Sequence, residues 1–262
     1  MLGVCISVLA VMCVCGALDT PSHAFVIALD ARRGAEVAAH IKLHLSLQNV
    51  QVVVANNGME ATLPLYTQFL IKHGRREHVQ IGNRAMVGCL LSHVNIWRMV
   101  SGWAYVFEED ALLDDNSLQR VSRLLRDVPE FSVLMLQARR FESSGVSSAV
   151  GSLAATCETC TWFGTRGYIV TEEGAGILLQ HVDPVVVQVD ALMGLVNEFD
   201  PSFRFFWTQH DIVGNAYPFE STLWDGCVFA CFDASLQFVC LLLVVLLGAV
   251  VARFKLIRDS CF

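Results

Sequence analysis

Residues 236–252 read LQFVCLLLVVLLGAVVA, a run without a charge in which Gln237 is the sole strongly polar side chain. At about 1.5 Å of rise per residue such a run reaches the lower edge of a bilayer span, and Ser235 and Phe254 lengthen it. The alternative is a buried core helix, but an apolar run this long is unusual in a soluble domain. Arg253, Lys255 and Arg258 on the far flank assign residues 253–262 to a short basic cytoplasmic tail. Whatever precedes the span then lies in a lumen or outside the cell.

The opposite end agrees with that orientation. Residues 2–18 are apolar and are followed by small-residue cleavage sites after Ala17 and Ala24, so residues 1–24 are expected to be a secretory signal peptide. A basic leading segment is missing, and an uncleaved anchor is the alternative. The two ends leave a domain over residues 25–226 and a juxtamembrane linker over residues 227–235. The expected arrangement is single-pass type I, with the domain in the endoplasmic reticulum or Golgi lumen or at the cell surface.

Of ten cysteines, the domain keeps Cys89, Cys157, Cys160, Cys227 and Cys231. An oxidising compartment permits disulfides, and the odd number leaves at least one thiol free. A zinc site built from Cys157, Cys160, Cys227 and Cys231 is a weaker alternative, because the second pair is loosely spaced. The chain has 25 acidic against 18 basic residues and no basic block, which argues against nucleic acid as a partner. It also has no Asn-x-Ser/Thr sequon.

Within the domain, strand and helix signals alternate. Residues 25–29, 50–55, 103–107, 132–137, 163–170 and 204–207 read as strands, and residues 35–47, 87–100, 117–126 and 172–181 as helices. Asn56-Asn57-Gly58 is a turn signal, and the Ser- and Ala-rich stretch 142–161 is the expected flexible loop. The order implies an α/β domain with a mainly parallel central sheet. In such sheets ligands bind beyond the carboxyl ends of the strands. The 103–107 strand ends there in three consecutive carboxylates, Glu108, Glu109 and Asp110. Like charges this close require a cation or a set of donors beside them. Residues i and i+2 point the same way at a strand end, so Glu108 and Asp110 can converge on a hard divalent ion while Glu109 faces elsewhere. A solvated acidic turn is the simpler alternative.

The surrounding residues carry a resemblance. Val87-Gly88-Cys89-Leu90-Leu91-Ser92-His93, Trp97 and Val106-Phe107-Glu108-Glu109-Asp110 resemble the glycosyltransferase family 25 pattern of a G-E-I-G-C-x-x-S-H helix, a tryptophan and a strand ending in E-D-D. Ile27-Ala28-Leu29-Asp30-Ala31-Arg32-Arg33 is similar to the family's I-N-L-D-R-R strand, and Val54 to Gly58 to its A-x-D-G turn. Phe163 to Val170, with Gly174-Ala175, resembles its G-T-x-A-Y-x-I-S … G-A segment, and Val187-Gln188-Val189-Asp190 its P-V-D. The ordered matches run from about residue 25 to residue 213.

The resemblance implies a GT-A-like nucleotide-sugar-binding domain. It implies a UDP-linked donor, Mn²⁺ or another divalent cation on Glu108, Glu109 and Asp110, and a glycan, glycolipid or protein hydroxyl as acceptor. Family members of the collagen type invert the anomeric carbon, so one carboxylate must take the acceptor's proton. Asp190 matches the family's aspartate and is the candidate, with Glu198, Asp200 and Asp211 as alternatives. The competing role for Asp190 is the N-cap of a helix beginning near Ala191. Arg32 and Arg33 are candidate phosphate ligands or a surface pair. Asp30, Asn57 and Gly58 are candidate nucleoside contacts, and Ser92 and His93 are expected to face the donor. A hydrogen-bonded structural histidine is the alternative for His93.

Four positions depart from the pattern: Met86 and Ala85 replace Glu and Gly, Glu109 replaces Asp, and Ala28 replaces Asn. A domain that has lost catalysis and serves in binding is therefore the second function class beside a membrane-anchored hexosyltransferase, with galactose as one candidate sugar.

Overall fold

The computed structural model describes residues 20–73, 80–137, 140–141, 148–150, 154–156, 161–162 and 164–215. Most of the expected leader and the expected linker, membrane span and tail lie outside the described residues, as do Cys157, Cys160, Cys227 and Cys231. Among the described residues no helix is long and apolar enough to cross a membrane.

The chain opens with β1 (His23–Ala28), α1 (Ala31–Leu45), β2 (Asn49–Val54), α2 (Leu65–His73), α3 (Arg84–Trp97) and β3 (Trp103–Glu108). It continues through β4 (Ala111–Leu112), α4 (Ser117–Asp127), β5 (Val133–Met135), β6 (Arg140–Phe141), β7 (Ser148–Val150), β8 (Ala154–Thr156) and β9 (Thr161–Trp162). Then follow β10 (Gly167–Thr171), α5 (Glu172–His181), α6 (Val189–Phe199), β11 (Phe205–Thr208) and β12 (Gly214–Asn215). Eight strands form one sheet in the order β2-β1-β3-β10-β5-β11-β8-β7, while β12 pairs with β4 and β6 with β9.

Alternation along the strands builds the two faces. Phe25, Ile27, Ala104, Val106, Tyr168 and Val170 face a core shared with α3, α5 and α6. Ala24, Val26, Tyr105, Phe107 and Ile169 face a second core shared with α1 and α4. Side chains cap the helices as their sequence suggests: Asp30 Oδ1 accepts from Arg33 N at 2.8 Å, Asn83 from Met86 N, and Thr171 from Gly174 N.

Three expectations need correction. The domain begins before residue 25, because His23 and Ala24 are already in β1. Ala24 is buried and in register with Val50 and Tyr105, so cleavage after Ala24 would remove two residues of a central strand. The stretch 142–161 is not only loop, since β7 and β8 extend the sheet edge beyond β11. Finally, the segment expected as a strand over 163–170 starts at Gly167 and runs antiparallel between β3 and β5. Six of the eight strands still point one way, with β10 and β8 reversed.

One buried group in the second core is left unsatisfied. Tyr105 is fully buried and stacked on Phe107 with ring centroids 5.8 Å apart, and its hydroxyl has no hydrogen-bond partner among the described residues. Burial alone pushes its phenol well above the usual range. Replacing Tyr105 with Phe removes the orphaned hydroxyl and keeps the ring. The expected result is a gain of roughly 1–2 kcal/mol in unfolding free energy, read from the urea midpoint at unchanged slope. A lower midpoint would mean that the hydroxyl has a partner in solution.

Candidate active site

The reversal of β10 makes the site. An antiparallel neighbour starts where β3 ends: Gly167 is in register with Phe107, and Glu108 N donates to Arg166 O at 3.0 Å. The acidic exit of β3 therefore meets the entry of β10, and three consecutive residues there each hold a different carboxylate. Gly164 N donates to Asp190 Oδ2 at 2.8 Å. Thr165 Oγ1 donates to Glu108 Oε1 at 2.5 Å, and Arg166 Nε donates to Asp110 Oδ2 at 3.0 Å. Tyr168, two residues past Arg166, also contributes: its Oη lies 2.8 Å from His93 Nδ1 and accepts from Trp97 Nε1 at 3.0 Å.

Each member of the acidic triplet thus has its own counter-group. Glu109 turns away from the other two, where Oε1 pairs with Arg33 Nη1 at 3.3 Å and Oε2 accepts from Leu29 N at 2.8 Å. Glu108 lies 3.4 Å from His93 Nε2, and His93 itself is fully buried. Burial opposes charge on Glu108. The hydrogen bond and charge of His93, then Thr165 and Arg166, outweigh it and hold this carboxyl below the ordinary range. Asp110 is shifted the other way, raised first by burial and then by Glu108, against the pull of Arg166. Its Oδ1 is buried and has no partner among the described residues.

Asp190 sits in the first turn of α6 and is not its N-cap, a position taken by Gln188. Burial first, and Glu108 more weakly, raise its carboxyl above the usual range, while the amides of Gly164 and Ala191 restrain the shift. Of the alternatives, Glu198 and Asp200 fall at the opposite end of α6, about 12–15 Å along its axis from Asp190. Asp200 accepts from Ser202 and faces His181 there. Asp211 is exposed, and its carbonyl accepts from Arg120.

The remaining candidates hold the scaffold. Asp30 caps α1, and Arg32 makes an exposed pair with Glu36 within that helix. Asn57 closes its own turn, accepting from Met59 N and donating to Glu60. Gly58 and Gly88 are where the loop after β2 meets α3: a Cβ on Gly58 would lie 1.8 Å from Arg84 O, and one on Gly88 2.5 Å from Asn56 O. Ser92 locks the same contact, donating to Gly88 O and accepting from Asn56 N. His93 lies behind Glu108 and positions it. Met86, at the position where a carboxylate is expected, packs against the first core and accepts from Gly82 N through Sδ.

Residue-by-residue reasoning passed over Cys89, Gly164, Thr165 and Arg166. The signal for the last three was present in the Gly-Thr-Arg-Gly-Tyr run, but their partners lie 26 to 57 positions away in sequence. Cys89 is half-buried one helical turn before His93, and its Sγ lies within 4.8 Å of ligand atoms of His93 and Glu108. Burial, then the carboxylates of Glu108, Asp190 and Asp110, push its thiol well up.

Comparison with known proteins gives one family. The model described as glycosyltransferase family 25 (LPS biosynthesis protein) matches residues 22–193. No curated protein sequence matches the chain. Among solved structures, the inositol-1-phosphate CTP transferase from T. maritima is similar at 12% identity and a TM-score of 0.42, over 74% of this chain and 87% of that one.

Proposed function

The chain belongs to glycosyltransferase family 25, and from that premise we propose that it transfers a hexose from a UDP-linked donor to a hydroxyl of a glycan, lipid or protein, with inversion. The reading rests on one observation: Gly164, Thr165 and Arg166 gather Asp190, Glu108 and Asp110 at the carboxyl edge of the sheet. That edge is where open α/β sheets bind ligands.

A divalent cation fits this donor set. Asp110 Oδ1 is a buried oxygen without a partner among the described residues, and Glu108 is held ionised beside it. These two oxygen ligands suit a hard ion such as Mn²⁺. Glu109, committed to Arg33 and Leu29 N, is left out of the ligand set. When bound, the ion supplies positive charge against the diphosphate that leaves. Asp190 takes the proton of the acceptor hydroxyl, and its raised pKa brings it nearer to working pH, as a general base requires. The Gly164 amide fixes its Oδ2, and Arg166 adds a fixed cation at the same edge. The expected membrane anchoring through residues 236–252 belongs to this proposal and lies outside the described residues.

Calorimetric titration of the full chain with UDP tests the reading. Binding is expected with Mn²⁺ present, and Asp110→Asn is expected to weaken it by at least about tenfold, the lower bound for disturbing a metal shell. A folded chain that takes up neither UDP nor Mn²⁺ would sink the proposal.

A further inference from the structure

We propose that Cys89, His93 and Glu108 form a second cation site, one that takes a thiophilic divalent ion of the zinc type and shares Glu108 with the oxygen-ligand site. Helix α3 places Cys89 and His93 at i and i+4, on one face, and the exit of β3 brings Glu108 against them. One ligand atom from each of the three lies within 4.8 Å of the others. His93 Nε2 and Glu108 Oε1 lie 3.4 Å apart, a separation that two ligands about 2.0–2.1 Å from a tetrahedral zinc also span.

Zinc-bound histidines commonly have the other ring nitrogen fixed by a hydrogen bond, and here Nδ1 meets Tyr168 Oη, itself anchored by Trp97. Binding an ion at Nε2 requires the tautomer with Nδ1–H donated to Tyr168, in place of the Nε2–H that faces Glu108 in the metal-free protein. Sulfur selects among ions: a thiolate favours zinc and its relatives over magnesium or manganese, which prefer the oxygens of Glu108 and Asp110. On binding, the thiol proton of Cys89 passes to solvent and the Sγ–metal bond replaces it. Cys89 is half-buried, and the Glu108 side chain is 26% exposed. Three protein ligands leave a fourth position open. Because Glu108 serves both sets, a zinc ion and a manganese ion exclude one another. That exclusion, though not the zinc site itself, rests on the function proposed above.

Cobalt(II) is the spectroscopic stand-in for zinc. Titrating the metal-free full chain with Co²⁺ is expected to raise, at one equivalent, a thiolate-to-cobalt charge-transfer band that is absent in Cys89→Ser, lost in His93→Gln, and abolished by added Zn²⁺. The chain has ten cysteines, so the Cys89→Ser arm carries the assignment, and circular dichroism establishes that both variants are folded. Absence of the band in the wild type, or a band that survives Cys89→Ser, overturns the proposal. Electron paramagnetic resonance of Mn²⁺ on the same protein keeps the two readings apart. Displacement of bound Mn²⁺ by one equivalent of Zn²⁺ supports the shared ligand. Co-binding of both ions refutes the sharing. A cobalt band in a chain that takes no Mn²⁺ leaves the thiophilic site standing and removes the hard-ion site.

Discussion

Asp190→Asn is expected to lower kcat by about 10²–10⁴-fold, the range that a positioned general base contributes, with little change in the KM for the donor. The substitution keeps the side chain's shape and an oxygen for the Gly164 amide but sets an NH2 group against the amide of Ala191, so circular dichroism is needed to establish that loop and helix stay in place. What it removes is the ability to accept a proton. The wild-type pH profile carries a second signature. A base works only when ionised, and burial followed by Glu108 raises this carboxyl above its ordinary value. Activity should therefore fall on the acid side at a pH above that of a solvated aspartate, and this limb should vanish in Asp190→Asn. UDP release from UDP-hexoses, followed across pH for both proteins, measures the two effects together. Retention of full kcat in the variant would return Asp190 to a structural role as the anchor of Gly164.

Local patterns in the chain specify much of this architecture, and long-range pairing specifies the rest. The alternation in β1 and β3, the caps Asp30 and Thr171, and the helix carrying Cys89, Ser92 and His93 are legible because each depends on neighbours within a few residues. That Glu109 would diverge from Glu108 and Asp110 follows from strand geometry alone. The direction of β10 does not, since an apolar run reads the same in either sense and only its place between β3 and β5 decides. The same limit applies to the cations. Arg33 was read as a phosphate ligand or a surface residue and Arg166 had no assigned role, whereas the fold sets them 3.3 and 3.0 Å from Glu109 and Asp110. Asn57 and Gly58 were read as nucleoside contacts and Ser92 as facing the donor. In the fold Asn57 closes its own turn, and Gly58 and Ser92 join the β2 exit to α3.

Arg166→Met is expected to cost about 3–5 kcal/mol of stability at neutral pH, the range for breaking a buried ion pair by removing one partner. The pair is well shielded, with Arg166 and Asp110 side chains 15% and 27% exposed, and methionine refills most of the volume. The loss should depend on pH with a definite sign. The Asp110 carboxyl is already raised in the folded chain, first by burial and then by Glu108, with Arg166 opposing both. Without the guanidinium it rises further, and the folded variant holds a proton that the unfolded chain releases at about pH 3.9. A carboxyl whose folded pKa is raised favours folding below its unfolded pKa, and that contribution disappears as pH rises through the folded value. The deficit of the variant should therefore be small near pH 4 and complete above its own raised pKa. A divalent ion supplies the missing charge, so saturating Mn²⁺ should stabilise Arg166→Met more than the wild type, by the linkage between binding and folding. Urea unfolding of both proteins across this pH range, with and without Mn²⁺, reads all three effects. A deficit that is constant with pH and indifferent to Mn²⁺ would show that Arg166 acts through packing alone, and that the charge of Asp110 is balanced by some other group.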